Sequence, residues 1–166
     1  MLLAWPEPAQ AARHPVARLN LQRMQRNAAV LSAATDLRGR PLRVLRVPLP
    51  HVVERRVELA DDADTRLSRG WSPDAFAARE KRREGDAVMQ VASTSWLNFV
   101  VANGVVVLPD YSAHGSPAAL QERVQQLMAQ AFPGRELRTV DAIGANWVGG
   151  GAHCATLGEP APRPGS

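Results

Sequence analysis

Apolar residues recur along this chain with helical spacing in two places and in short unbroken runs in several others. Leu2-Leu3-Ala4-Trp5 is an apolar run short enough to be one buried strand. Pro15 sits where the first turn of a helix tolerates proline, and Val16, Leu19, Met24, Ala28 and Leu31 follow at roughly helical spacing. Leu21 falls off that stripe, which predicts a helix apolar over a broad face. Asp36 to Pro41 reads as a stop and turn, and Leu42 to Val47 has strand composition. From Pro48 to about Asp86 the pattern dissolves into a long loop, with an acidic run at Glu58 to Asp64, one helical turn after Ser72-Pro73 and a basic stretch around Lys81. Val88 to Ala92 and Ser95 to Ala102 read as strands, with Asn103-Gly104 as a tight turn into the buried strand Val105 to Leu108 that Pro109 ends. Ser116-Pro117 is a helix start, with the serine as cap and the proline at the first helical position. Leu120, Val124, Leu127, Met128 and Ala131 then form a clean stripe, Pro133-Gly134 stops the helix, and Leu137 to Val140 resumes as a strand.

The alternation of helix and strand predicts an α/β chain. An internal echo supports a repeated unit: Gly39-Arg40-Pro41-Leu42-Arg43 follows the first helix and Gly134-Arg135-Glu136-Leu137-Arg138 follows the second, each leading into a strand. The chain divides into a strand–helix–strand unit at 1–47, a long loop or linker at 48–86, a second unit with a terminal loop at 87–156, and a tail at 157–166. That tail is too rich in proline and glycine to pack, so it is expected to be disordered.

Composition narrows the function classes. At 166 residues the chain can build one ordinary core. No apolar run approaches the roughly 20 residues of a membrane helix, and Met1 to Pro6 lacks the basic and long apolar regions of a signal peptide, which predicts a cytoplasmic protein without a membrane partner. The formal net charge is +4, but the basic residues are scattered and aromatics are scarce, which argues against nucleic-acid binding. The densest cluster, Arg79 to Glu84, is mixed in sign and reads as a solvated face. A single cysteine excludes an internal disulfide, and one cysteine with scattered histidines lacks zinc-ligand spacing.

That cysteine, Cys154, closes the run Gly149-Gly150-Gly151-Ala152-His153-Cys154-Ala155-Thr156. Glycines let a ligand or neighbouring segment approach the backbone. A thiol presented this way is a candidate nucleophile; the alternative is a small buried hydrophobe beside a loose loop. If the segment is extended, His153 faces away from the thiol and Thr156 shares its side, which makes His153 structural rather than the base. His14, His51 and His114 stand without motifs and read as surface or loop residues. Asn98 reads as bonding to neighbouring backbone, with a substrate contact as the other option, and Asp110 as a turn residue near a site mouth.

Three stretches together resemble the agmatine deiminase family, which includes the bacterial-type peptidylarginine deiminases. Ser93-Thr94-Ser95-Trp96-Leu97-Asn98-Phe99 through Asn103-Gly104 is similar to its S-Y-x-N-F strand and N-G turn. Val105 to Pro109 followed by Phe132-Pro133-Gly134-Arg135 is similar to its v-v-v-P and f-P-G-R, and Gly149 to Thr156 resembles its G-G-G-x-H-C-x-T. The resemblance is specific over 93–156, looser over 15–50, and weak in the long loop and tail. It implies a pentein-type α/β propeller built from ββαβ-like repeats, with about half of the five blades in this chain. It also implies hydrolysis of a guanidinium group to a ureido group and ammonia, with agmatine or peptidyl-arginine as the small substrate. Cys154 would be the nucleophile, Gly150 and Gly151 would bind substrate, and no metal or cofactor is implied.

One departure stands beside that likeness. The family carries an upstream His-x-Asp motif and acidic residues that grip the guanidinium, and nothing before Cys154 matches them. Met1 to Trp5 is similar to the strand that follows that motif. Two expectations compete: the C-terminal part of such an enzyme, completed by an N-terminal half or a homo-oligomer, or a non-catalytic fragment acting only in assembly, or inactive.

Overall fold

A computed structural model describes residues 1–60 and 80–159. The first apolar run is β1, Leu2–Trp5, and its parallel partner is β2, Leu45–Pro48, in the register Leu2↔Leu45 to Trp5↔Pro48. A parallel pair requires a crossover, supplied by α1 (Pro8–Arg13) and α2 (Pro15–Ala33). Proline begins each helix, where its missing N–H would be unpaired in any case. His14 caps α2, its Nδ1 accepting the Val16 N–H at 3.2 Å. The inward stripe differs from the one expected: Ala17, Leu21, Met24, Ala28 and Leu31 are buried or half-buried, whereas Leu19 is 45% exposed. The one fully buried position of the helix is a small alanine, Ala17, and not one of the large apolar residues.

β2 begins at Leu45 rather than Leu42 because the segment before it closes on itself. Asp36 accepts the N–H groups of Arg38 and Arg40 at 2.8 and 3.0 Å and pairs with the Arg40 guanidinium. Such local bonds compete with a strand ladder. They also hold the Asp36 carboxyl below the usual carboxylate range, the Arg40 N–H contributing most.

The long loop expected over 48–86 contains a strand near its start. Glu54–Glu58 is β3, antiparallel to β4, Ala87–Val91. Its alternation is disguised by charge: Arg55 and Val57 are the half-buried positions between exposed Glu54, Arg56 and Glu58. Arg55 occupies an inward position because its guanidinium lies 4.2 Å from the Trp147 ring centroid and bonds Gln90 Oε1 at 2.8 Å. The helical turn expected after Ser72-Pro73 lies outside the described residues, as do residues 160–166 of the tail.

The second unit is a hairpin of β5 (Val100–Ala102) and β6 (Val105–Pro109), turned at Gly104 with φ +79°. α3 (Ala118–Ala131) then crosses to β7 (Glu136–Val140), which pairs parallel to β6. Ser116 does not cap α3. It is buried, and its Oγ accepts the His51 N–H at 3.0 Å, pinning the chain after β2 to the helix start. Residues 95–98, expected as strand, form a turn instead. The echo in sequence is an echo in shape, since Gly39 (φ +74°) and Gly134 (φ +77°) both turn a helix toward a strand parallel to the preceding one.

Val47, Trp96, Val106, Leu108, Tyr111, Leu120, Val124 and Met128 form the main core. The buried Gln121 sits among them because its carboxamide is satisfied, accepting Trp96 Nε1–H at 2.8 Å and donating to the Pro109 carbonyl at 3.1 Å. The architecture is therefore α/β with small sheets. No helix among the described residues is long and apolar enough to cross a membrane.

Candidate active site

Behind β7 the chain turns into the short helix α4, Ile143–Trp147, whose Ile143 N–H is taken by Asp141 Oδ1 at 2.9 Å. The Ile143 N–H, and next the His114 side chain at 2.8 Å, hold the Asp141 carboxyl below the usual range. A lowered carboxyl contributes stability above its unfolded-state value and loses it as pH falls toward the folded-state value. Asp141 is well exposed, so the contribution is screened. Asp141→Asn is expected to lose its small, screened contribution at pH 7 and to converge on the unmodified protein below about pH 4, which flattens the acid limb of the stability curve. Urea unfolding from pH 2.5 to 7 measures it, and parallel curves for the two proteins would contradict it.

The glycine run leaves α4 with a distinct job for each residue. Gly149 has φ +83°, the left-handed conformation that ends a helix. Gly150 donates to the Ala145 carbonyl at 2.9 Å, and its own carbonyl accepts from Asn146 Nδ2 at 2.9 Å. The buried Asn146 also reaches the Ser93 carbonyl, while the Ser93 N–H bonds the Asn146 carbonyl, so the loop is tied to the segment before Trp96. Gly151 is buried against Asn98: a Cβ there would lie 2.4 Å from Asn98 Cγ. The close approach expected over Gly151 is thus taken by a side chain of the protein itself.

Residues 152–155 form a turn, not the extended segment expected. The Ala155 N–H bonds the Gly151 carbonyl, and the His153 carbonyl accepts both the N–H and the hydroxyl of Thr156. A turn does not alternate its side chains between two faces, so strand geometry does not set His153 against the thiol. The His153 backbone N–H donates to Asn98 Oδ1 at 2.7 Å. Cys154 is exposed, which removes the reading of it as a small buried hydrophobe. Asn98 Nδ2 donates to its Sγ at 3.2 Å, and Asn98 Oδ1 also accepts the Cys154 N–H at 3.4 Å. Asn98 does bond backbone, as its sequence context suggests, but the backbone lies 55 residues along the chain.

The structure brings together Cys154, Gly151, the backbone of His153 and Asn98. It leaves the other candidates paired away from the thiol. His14 pairs with Glu54 at 3.1 Å, His114 pairs with Asp141, and Asp110 accepts the Ser112 N–H and hydroxyl in a turn. The described residues hold no group of His, Cys, Asp or Glu able to bind a metal ion. Two supports went unread in the sequence. Asn146 had one usable signal, an amide residue four places before Gly150 in an apolar stretch. Tyr111 had none; its buried hydroxyl bridges the Ser95 N–H and carbonyl at 3.1 and 3.4 Å, and burial pushes its phenol up.

Gly151→Ala is expected to destabilise the fold by about 1–3 kcal/mol, the cost of an overpacked site. Gly150→Ala, whose new Cβ would meet its nearest neighbour at 3.4 Å, is expected to cost clearly less. Urea denaturation of both variants checks the order, and equal losses would contradict it.

Residues 4–160 match the family described as Porphyromonas-type peptidyl-arginine deiminase. Among curated proteins, an agmatine deiminase of Stutzerimonas stutzeri is 28% identical over 162 residues, covering 98% of this chain and 37% of its own length. An agmatine deiminase of Pseudomonas aeruginosa is 28% identical over 163 residues with the same coverages. The solved agmatine deiminase of Enterococcus faecalis superposes with a TM-score of 0.54 at 20% identity, over 92% of this chain and 34% of that one, a likeness of fold. The chain thus spans 37% of the length of the first curated relatives it matches.

Proposed function

From its membership of the Porphyromonas-type peptidyl-arginine deiminase family, to which this chain belongs, we propose that Cys154 is the nucleophile of a guanidinium hydrolase. The observation that carries the proposal is an exposed thiol on a loop tied down on both sides, with a carboxamide N–H directed at its sulfur. A guanidinium carbon is a poor electrophile because its charge is delocalised, so attack requires a soft nucleophile and a held, desolvated substrate. The thiolate adds to that carbon, ammonia leaves from the tetrahedral adduct, and water then cleaves the amidino-cysteine to a ureido product and free thiol. These steps need no cofactor. A cationic substrate beside the sulfur favours its anionic form. Gly150 and Gly151, expected to bind substrate, would do so only by holding the loop that carries the thiol, since Asn98, Ala145 and Asn146 already occupy them. The β5–β6–α3–β7 unit is read as one ββαβ blade of a pentein-type propeller.

Asn98 is the only side chain hydrogen-bonded to the thiol among the described residues. The proposal therefore assigns proton transfer and the gripping carboxylates to other parts of the fold, in the N-terminal portion that the relatives span or in a second copy. The same observation favours the competing reading, a non-catalytic chain acting in assembly. One experiment separates them. The protein is incubated with agmatine, and separately with an arginine-containing peptide, then acid-quenched for intact mass and assayed for ammonia. The catalytic reading expects Cys154 to carry substrate less ammonia, with ammonia released; the substrate that reacts identifies the class. Neither adduct nor ammonia from both substrates overturns catalysis by this chain, alone or as a homo-oligomer, and leaves the non-catalytic reading.

A further inference from the structure

We propose that Asn98 is the positioning residue of the nucleophile, its carboxamide oxygen holding the loop amides of His153 and Cys154 while its nitrogen presents an N–H to Cys154 Sγ. This rests on the reading of Cys154 as nucleophile. The orientation of the carboxamide follows from its surroundings. One end meets two backbone N–H donors, at 2.7 Å from His153 and 3.4 Å from Cys154, so that end must be the oxygen. The nitrogen then points at sulfur, 3.2 Å away, as a matter of necessity.

Three independent features hold this carboxamide in place. The Asn98 N–H bonds the Ser95 carbonyl at 3.3 Å, and the Asn98 carbonyl accepts a second, longer bond of 3.3 Å from the His153 N–H. Two residues earlier, Trp96 is fully buried in the core and hydrogen-bonded to Gln121, which anchors the turn that carries Asn98. On the far side the bare Cα of Gly151 leaves space that any Cβ would take from the carboxamide. Asn98 therefore has two separable jobs. Its oxygen caps a turn, which is structural. Its N–H stabilises negative charge on sulfur, which is a charge-assisted hydrogen bond and acts only through Cys154.

Aspartate at this position separates the two. Asn98→Asp keeps an oxygen to accept the loop amides but removes the donor and places a carboxylate beside the sulfur. Asn98→Ala removes both jobs. The probe is iodoacetamide at pH 7, with the alkylated residue identified by mass and the fold followed by thermal unfolding and amide hydrogen exchange at His153 and Cys154. Alkylation of Cys154 in Asn98→Asp is expected to slow by at least roughly tenfold, the lost charge-assisted hydrogen bond and the repulsion of the new carboxylate acting together, while the loop amides stay protected. Asn98→Ala is expected to slow alkylation and also to speed exchange in the loop. Wild-type alkylation rate in a folded Asn98→Asp protein with protected amides would overturn the proposal, because neither the lost donor nor the carboxylate put in its place would then be felt at the sulfur. Should that variant not fold, the unmodified protein still decides: alkylating Cys154 must move the Asn98 carboxamide NMR signals, and unmoved signals overturn the proposal. Alkylation needs no guanidinium substrate. A failed adduct experiment therefore leaves this test standing, and its own failure leaves the adduct experiment untouched.

Discussion

Cys154→Ser is expected to lower the proposed guanidinium hydrolysis by at least about a thousandfold, because both the formation and the cleavage of the proposed amidino-cysteine run through its sulfur. A serine hydroxyl is far harder to ionise than a thiol and is a poorer nucleophile toward a delocalised cation. No base among the described residues is bonded to residue 154 to compensate. The substitution is otherwise mild. Cys154 is exposed, and a serine oxygen accepts the Asn98 N–H at least as well as sulfur does. Its effect on stability is therefore expected to lie within about 0.5 kcal/mol. Ammonia release from the reacting substrate and the acid-quenched adduct both report on this change. A serine variant that released ammonia at the rate of the unmodified protein would remove Cys154 from the mechanism. A large loss of stability would instead show that the thiol has a packing role its exposure does not reveal.

The largest effect on the fold is expected at Trp96. Its ring is fully buried, meets Tyr111 edge-on with centroids 5.8 Å apart, and donates Nε1–H to Gln121. Trp96→Ala removes that packing, opens a cavity beside Tyr111, and takes from the buried Gln121 oxygen its shortest partner, leaving the Tyr111 N–H at 3.4 Å. The expected loss is about 3–5 kcal/mol, or a fall in Tm of roughly 6–20 °C for a chain of this length. Because Trp96 anchors the turn that carries Asn98, iodoacetamide labelling of Cys154 should change in the same variant while the protein is still folded. Urea and thermal unfolding give the first number and labelling below the transition gives the second. A loss under about 1 kcal/mol would mean that the ring is replaceable.

Much of this arrangement was readable in the sequence. The strands at Leu2–Trp5 and Val105–Pro109, the turn at Asn103-Gly104 and the helix ending at Ala131 form where their periodicity and punctuation place them. The glycine run marked a loop of close approaches, and its cysteine was the residue to examine. Where the reading failed, the residues carried an ambiguous local signal. Ser116 before Pro117 has the grammar of a helix cap, yet its hydroxyl serves His51, a bond across 65 residues. β3 lacks an apolar face because one inward position is an arginine whose partner, Trp147, lies far along the chain. The residues Ser95 to Asn98 look like strand, but Trp96 turns inward to the core and bends them.

The sequence alone determined what lies within reach of one turn or one hairpin: helix and strand periods, proline starts, left-handed glycines and the exposed thiol's loop. Those signals are set by contacts a few residues apart. Tertiary structure decided which segment lies against that loop. Asn98 and Cys154 are 56 residues apart, and the hairpin, α3 and α4 must all be in place before a carboxamide meets the sulfur. Gly151 shows both levels in one residue. Its lack of a side chain is written in the sequence, but the carboxamide that needs the space is brought there only by the fold.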